Sequence, residues 1–308
     1  MNYSLQYKVY RRPFQNALET ARGPWHIRKG IVLQLEDAQG NIGFGEIAPI
    51  EDFGTESLAD AEAFLKNLQG MWDGKIPEGL PCCAFGLGCA KGWINDRFST
   101  INATLETAAL LPAGERAVAV MDEKLAAGFR TFKWKMGVGD PDSEKKIAAT
   151  LAGRGTLRLD ANGGLEIEQA KDWLGFLDTL PGVEYLEQPL PRGRWRECLP
   201  LNGQFKTPVA LDEDAADAHD WPGPLVIKPA LDGNITATSN RDPIYSSALE
   251  TSIGREAALR LAMKSARAIG FGVSELFPED GLDLHDAGPR IKVGTIGTSE
   301  MQEIWERI

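Results

Sequence analysis

The chain has 308 residues, with 33 Lys+Arg against 44 Asp+Glu and a net charge of −11. With 43% hydrophobic and 25% charged residues it has the composition of a globular protein long enough to bury a full core, which excludes a disordered chain. The acidic balance lacks the basic footprint of a nucleic-acid binder, and no apolar run approaches the ~18 residues of a membrane span. Four cysteines in this length do not make a disulfide scaffold. The opening residues, MNYSLQYKVYRRPF, hold no apolar signal-like stretch, so a cytoplasmic location is expected.

Residues 31–47 alternate around the turn signal AQGN and predict a hairpin. Residues 57–69 predict a capped helix before Gly70, and the small apolar residues 81–94 a closely packed one. From about residue 100 short apolar runs alternate with amphipathic helices. The helix of Arg116 to Ala127 ends at Gly128, as a C′ glycine would end it. The runs TFKWKMG, TLRLDAN, VEYLEQP, PVALDE, PLVIKP and IYSSALET follow as strands. REAALRLAMKSARAIG predicts a helix running to Gly270, and FGVSEL a last strand. About seven strand–helix units in residues 99–285 predict a parallel (β/α) barrel behind an α+β unit over residues 1–98.

Charged residues close these apolar strands at their C-terminal ends: Lys133 and Lys135, then Asp160, Glu187, Asp212 and Lys228. Successive strand ends fall roughly one βα unit apart. Barrel active sites lie at the C-terminal ends of the strands, so the six side chains should meet at one mouth. Taken singly, each acid reads as a cap of the next helix; their joint spacing favours a site. Lys133 and Lys135 point to one side of their strand, Phe132 and Trp134 to the other. Three carboxylates without a nearby Cys or His are hard oxygen ligands, suited to Mg²⁺ or Mn²⁺ rather than Zn²⁺. Such a site can take a small anionic carboxylate and stabilise the enediolate formed when its α-proton is removed. A lysine base must be neutral, and crowding by a second lysine and a divalent ion lowers its pKa.

In this order K-W-K, L-D-A-N, L-E-Q-P, L-D-E and I-K-P resemble the enolase superfamily, muconate-lactonizing subgroup, over nearly the whole chain. A lysine base working with Mg²⁺ is a general pattern of that superfamily. G-E-I-A-P (45–49) resembles its capping domain and I-N-A-T-L (101–105) its first barrel strand. The segment Y-S-S-A-L-E-T-S-I-G (245–254) is similar to the o-succinylbenzoate synthase family. The resemblance implies a modified (β/α)7β TIM-like barrel with an α+β cap, joined by the C-terminal segment 286–308. It implies a hydro-lyase that eliminates water from 2-succinyl-6-hydroxy-2,4-cyclohexadiene-1-carboxylate, giving o-succinylbenzoate for menaquinone or phylloquinone synthesis. Carried over, Lys135 is the base, Lys133 its neighbour on the carboxylate, and Lys228 the opposing charge. Asp160, Glu187 and Asp212 hold Mg²⁺; Asn162, Glu213 and Ser247 support them or touch substrate. Loops around 17–28 and 49–56 are expected to close over the site.

The alternatives within the superfamily are an N-acylamino-acid racemase, a dipeptide epimerase and a muconate cycloisomerase. The D-x-D that dipeptide epimerases carry at the last strand is absent, and L-D-L-H-D (282–286) falls later than that strand. A non-catalytic barrel binding a divalent metal or an anion is the alternative of another class, but a binder needs no paired lysines. His26, His219 and His285 read as surface or structural, and Cys82, Cys83 and Cys89 as packing.

Overall fold

The computed structural model describes residues 2–20, 23–95, 98, 101–233 and 243–308. Alternation near the N-terminus builds an antiparallel sheet. β1 (Tyr3–Thr20), β2 (Gly23–Glu36) and β3 (Ile42–Ile47) follow one another as hairpins, α1 (Leu58–Asn67) comes next, and β4 (Met71–Trp72) joins the free side of β1. The β2–β3 pair is the expected hairpin of residues 31–47. The loop expected around 17–28 is instead the far end of the β1–β2 ladder, with Arg12 opposite Arg28 and Leu18 opposite Trp25. Its tip, residues 21 and 22, lies outside the described residues. An arginine hides the strand from a hydrophobicity pattern: the inward set of β1 here is Tyr10, Arg12 and Phe14, all buried. Arg12 is paired with Asp280 at 2.7 Å and lies over the Phe277 ring.

A capping box of Ser57 and Asp60 starts α1. α2 (Pro81–Ile94) lies directly on β3. The two backbones touch, because a Cβ at Gly45 would overlap the Gly86 carbonyl and one at Gly43 the Ala90 carbonyl. That approach explains the run of small residues in α2, and Cys82, Cys83 and Cys89 are buried within it. Gly45→Ala is expected to destabilise the fold by about 1–3 kcal/mol through overpacking. An unchanged urea midpoint would contradict this backbone contact.

The second half of the chain contains β5 (Ala103–Glu106), β6 (Ala108–Leu111), α3 (Arg116–Ala126), β7 (Thr131–Lys135), α4 (Pro141–Leu151), β8 (Thr156–Asp160), α5 (Ile167–Leu177) and β9 (Val183–Glu187). Short helices α6 (Trp195–Cys198) and α7 (Leu201–Gln204) lead to β10 (Val209–Ala210) and β11 (Leu225–Ile227). Then come α8 (Pro229–Asp232), β12 (Pro243–Tyr245), α9 (Ser252–Ala262), β13 (Arg290–Val293) and α10 (Thr298–Arg307). β6 to β10 form one parallel sheet in sequence order, and β11 and β12 a parallel pair. Isolated bridges close the ring: Leu211 to Leu225, Ser246 to Gly270 and Thr107 to Ile269. The result is a barrel with seven named strands and a bridging eighth position. Outward side chains such as Phe132, Trp134, Leu157 and Leu159 pack against Met121, Ala148 and Trp173 of the surrounding helices.

Three expectations are corrected. I-N-A-T-L is not the first barrel strand: β5 pairs antiparallel with β13, and the barrel begins at β6. The helix expected to reach Gly270 stops at Ala262, because the Ser265 hydroxyl takes up the Arg267 backbone in a tight turn. FGVSEL is no strand; Gly270 bridges just before it and Ser274–Leu276 form a 3-10 turn.

The first sheet and the barrel are joined by buried polar contacts. Glu46 of β3 accepts from the Thr251 and Gly254 backbone N–H groups, each at 3.0 Å, and from the Tyr10 hydroxyl at 2.7 Å. A carboxylate thus caps α9 across the interface, where the helix dipole favours negative charge. The C-terminal α10 lies on the first sheet, with Trp305 against Phe44 and its carbonyl bound by Lys8 at 2.7 Å.

Candidate active site

The alternation of β7 sends Phe132 and Trp134 outward into the core, and Lys133 and Lys135 inward. The parallel register then aligns the strand ends: Lys135 beside Asp160, Asp160 beside Glu187, and Glu187 beside Ala210, two residues before Asp212. The Lys133 ammonium bonds Asp160 Oδ2 at 2.8 Å and Glu187 Oε1 at 2.7 Å. Lys228 follows β11, where Pro229 starts the next helix, and its ammonium pairs with Asp212. Around the ring β8, β9 and β10 separate Lys135 from Lys228, so the two amines reach the mouth from different sides.

Burial works to lower the Lys133 pKa, but the Asp160, Glu187 and Asp212 charges overrule it and hold the amine well above its ordinary value. It is therefore an ammonium. Burial lifts Glu187 to about 8; Lys133 opposes the rise, while Asp160 and Asp212 add to it. Glu213 is pushed up to about 7, first by burial and then by Asp212 and Asp160. Mutual repulsion of this kind is what a bound cation relieves.

The donor set fits a hard divalent ion. Asp160, Glu187 and Asp212 offer only oxygen, and Glu187 Oε2 is buried with no hydrogen-bond partner among the described residues. As placed, however, no three His, Cys, Asp or Glu side chains among the described residues stand ready as a ligand cage. The three acids are gathered but face lysines instead.

The remaining expected residues occupy supporting positions. Asn162 has a left-handed backbone, φ 43, and its N–H donates to Asp160 Oδ1 at 3.0 Å. Glu213 Oε2 is buried and without a described partner. The Ser247 hydroxyl is engaged within its own turn, donating to Glu250 and accepting from the Leu249 N–H. His285 is buried between Ser252 and Glu256, whereas His26 and His219 are exposed.

Two contacts escaped the sequence reading. Gln188 accepts the Asp212 N–H at 3.1 Å and donates to Asp214 at 2.8 Å, so it orients the end of β10. A polar residue directly after a strand-end acid was its only signal. Phe53, in the 3-10 turn Glu51–Phe53 of the expected closing loop, lies 4.2 Å from the Lys228 ammonium, face to cation. Below the lysines a cavity of about 60 Å³ is lined by Leu110, Arg158, Tyr185 and Ile244. Arg158 is held there by Glu184 at 2.6 Å. A larger cavity, about 630 Å³, lies between β3, α2 and α10 and has no titratable lining residue.

Two family descriptions match the chain: "MenC, N-terminal domain" over residues 5–93 and "Enolase C-terminal domain-like" over residues 116–224. The o-succinylbenzoate synthase of Thermosynechococcus vestitus is 37% identical over 296 residues, covering 87% of this chain and 92% of that protein. The crystal structure of o-succinylbenzoate synthase from Thermosynechococcus elongatus, complexed with Mg in the active site, superposes with a TM-score of 0.85 at 33% identity. It covers 99% of this chain and 100% of that one. A hydrophobic dipeptide epimerase of Roseobacter litoralis is 28% identical over 234 residues, 66% of each chain. The chain belongs to the o-succinylbenzoate synthase family of the enolase superfamily.

Proposed function

We propose that this protein catalyses the Mg²⁺-dependent syn elimination of water from 2-succinyl-6-hydroxy-2,4-cyclohexadiene-1-carboxylate, giving o-succinylbenzoate in the cytoplasmic synthesis of menaquinone or phylloquinone. The observation that carries the reading is the lysine pair of β7 facing three carboxylate strand ends, with Lys228 across the ring. The barrel, from β6 onward within residues 99–285, does the chemistry; residues 1–98 and 286–308 form the cap. Asp160, Glu187 and Asp212 hold the ion, which requires Lys133 and Lys228 to release the ion pairs they now make. When bound, Mg²⁺ supplies positive charge to the substrate carboxylate and to the charge that develops on it.

The Lys135 Nζ takes the proton α to the carboxylate, and the C–H electron pair moves into an enediolate. Lys133 and Lys228 flank this anion as ammoniums. The enediolate then collapses, the C–O bond to the neighbouring hydroxyl breaks, and Lys135 returns its proton so that water leaves from the same face. One amine serves both half-reactions, which accounts for the syn course. Phe53 lies over Lys228 and excludes water from that flank.

The epimerase reading is disfavoured because Asp283 of L-D-L-H-D is bound by Arg255 at 2.5 Å. The test is an ultraviolet assay of o-succinylbenzoate formation by the purified protein with Mg²⁺. Turnover is expected. Silence there, with racemisation of N-acylamino acids instead, would move the assignment to the racemase.

A further inference from the structure

Arg28 lies on β2 with its side chain buried, 1% exposed. Each hydrogen bond that its guanidinium makes to a described residue ends on a backbone carbonyl. Nη2 donates to Ala48 O at 2.5 Å and Ala248 O at 3.0 Å. Nη1 donates to Pro49 O at 2.7 Å and Lys29 O at 3.0 Å, and Nε to Leu249 O at 3.4 Å. A buried charge satisfied by carbonyl dipoles is costly to assemble and rigid once made.

The two stretches it joins both lead to Lys228. Ala48 and Pro49 leave β3 toward the turn that sets Phe53 on the Lys228 ammonium. Ala248 and Leu249 form the turn after β12, where the Ser246 N–H bonds Ile227 O at 2.8 Å, beside Lys228. Leu249 holds a left-handed backbone, φ 63, which a leucine resists because of its Cβ. Glu250 grips the N–H side of this turn, accepting from Ala248 N at 2.6 Å, while Arg28 grips the carbonyl side.

We infer that Arg28 is a positioning residue: it locks the cap segment 48–53 and the strained 248–249 turn together, and so sets the place of Lys228 against the substrate. This deepens the proposed dehydration and rests on it for its effect on rate. A lysine cannot replace the planar fork that spans both segments.

The test compares Arg28→Met, Arg28→Lys and Arg28→Met with Leu249→Gly added. Arg28→Met is expected to lower kcat about 10–100-fold with a smaller change in KM, as misplacement near the chemistry does. Arg28→Lys is expected to stay impaired. Adding Leu249→Gly removes the Cβ strain that Arg28 holds down, and should return at least about fivefold of the lost kcat. Thermal midpoints measured alongside separate this from general destabilisation, which would lower kcat only in step with the folded fraction. A folded Arg28→Met within twofold of wild-type kcat, or a folded double variant with no recovery, overturns the inference. Amide exchange of residues 248–253 in Arg28→Lys is a second readout. Selective acceleration of tenfold or more supports the clamp, and unchanged exchange refutes it. Because the exchange result does not depend on turnover, an inactive wild type would sink the dehydration reading alone.

Discussion

Replacing Lys135 with alanine is expected to lower kcat by about 10²–10⁴-fold, the range ascribed to a positioned general base, with the thermal midpoint within a few degrees of wild type. The two lysines of β7 are equivalent in a strand pattern but not in the fold. Lys133 is held between Asp160 and Glu187. Lys135 stands two residues nearer the mouth, in register with Asp160, where the proposed mechanism puts the base. Arginine at 135 should not restore activity, because a guanidinium stays protonated. A Lys135→Ala protein that turns over at the wild-type rate would remove the base from the mechanism.

EDTA is expected to abolish turnover and added Mg²⁺ to restore it, and Asp212→Asn should lose at least about 10²-fold of the Mg²⁺-supported rate. Asparagine keeps the shape of the side chain and the backbone bond to Gln188, so circular dichroism should stay native. The missing charge weakens the ion and frees Lys228 from its present partner. Calorimetric titration of Mg²⁺ into the variant separates the causes: wild-type affinity would show that Asp212 is not a ligand.

The barrel and its charged mouth were legible for one reason. Parallel strands buried on both faces read as apolar runs, so a charge at the end of each stands out. Asp160, Glu187 and Asp212 announce themselves in that way, even where β10 is only two residues long. The cap was harder to read. Arg12 and Arg28 occupy inward positions of β1 and β2 and break the alternation that marks a strand. Glu46 caps a helix whose first residue lies more than 200 positions away, a partnership no local window contains. The end of α9 at Ala262 depended on one serine hydroxyl, and the antiparallel pairing of β5 with β13 on the return of a distant segment.

The barrel wall is continuous hydrogen-bonded sheet from β6 to β10, but single bridges attach the β11–β12 pair on either side. Fewer backbone bonds cross those two seams, so thermal breathing should concentrate there. The two β7 lysines and the three acids stand on the stiff plate, and Lys228 on the hinged leaf. Breathing at the seams would therefore swing one charge away from the others while leaving the acids in place, a route for an aromatic dicarboxylate to depart without dismantling the centre that made it.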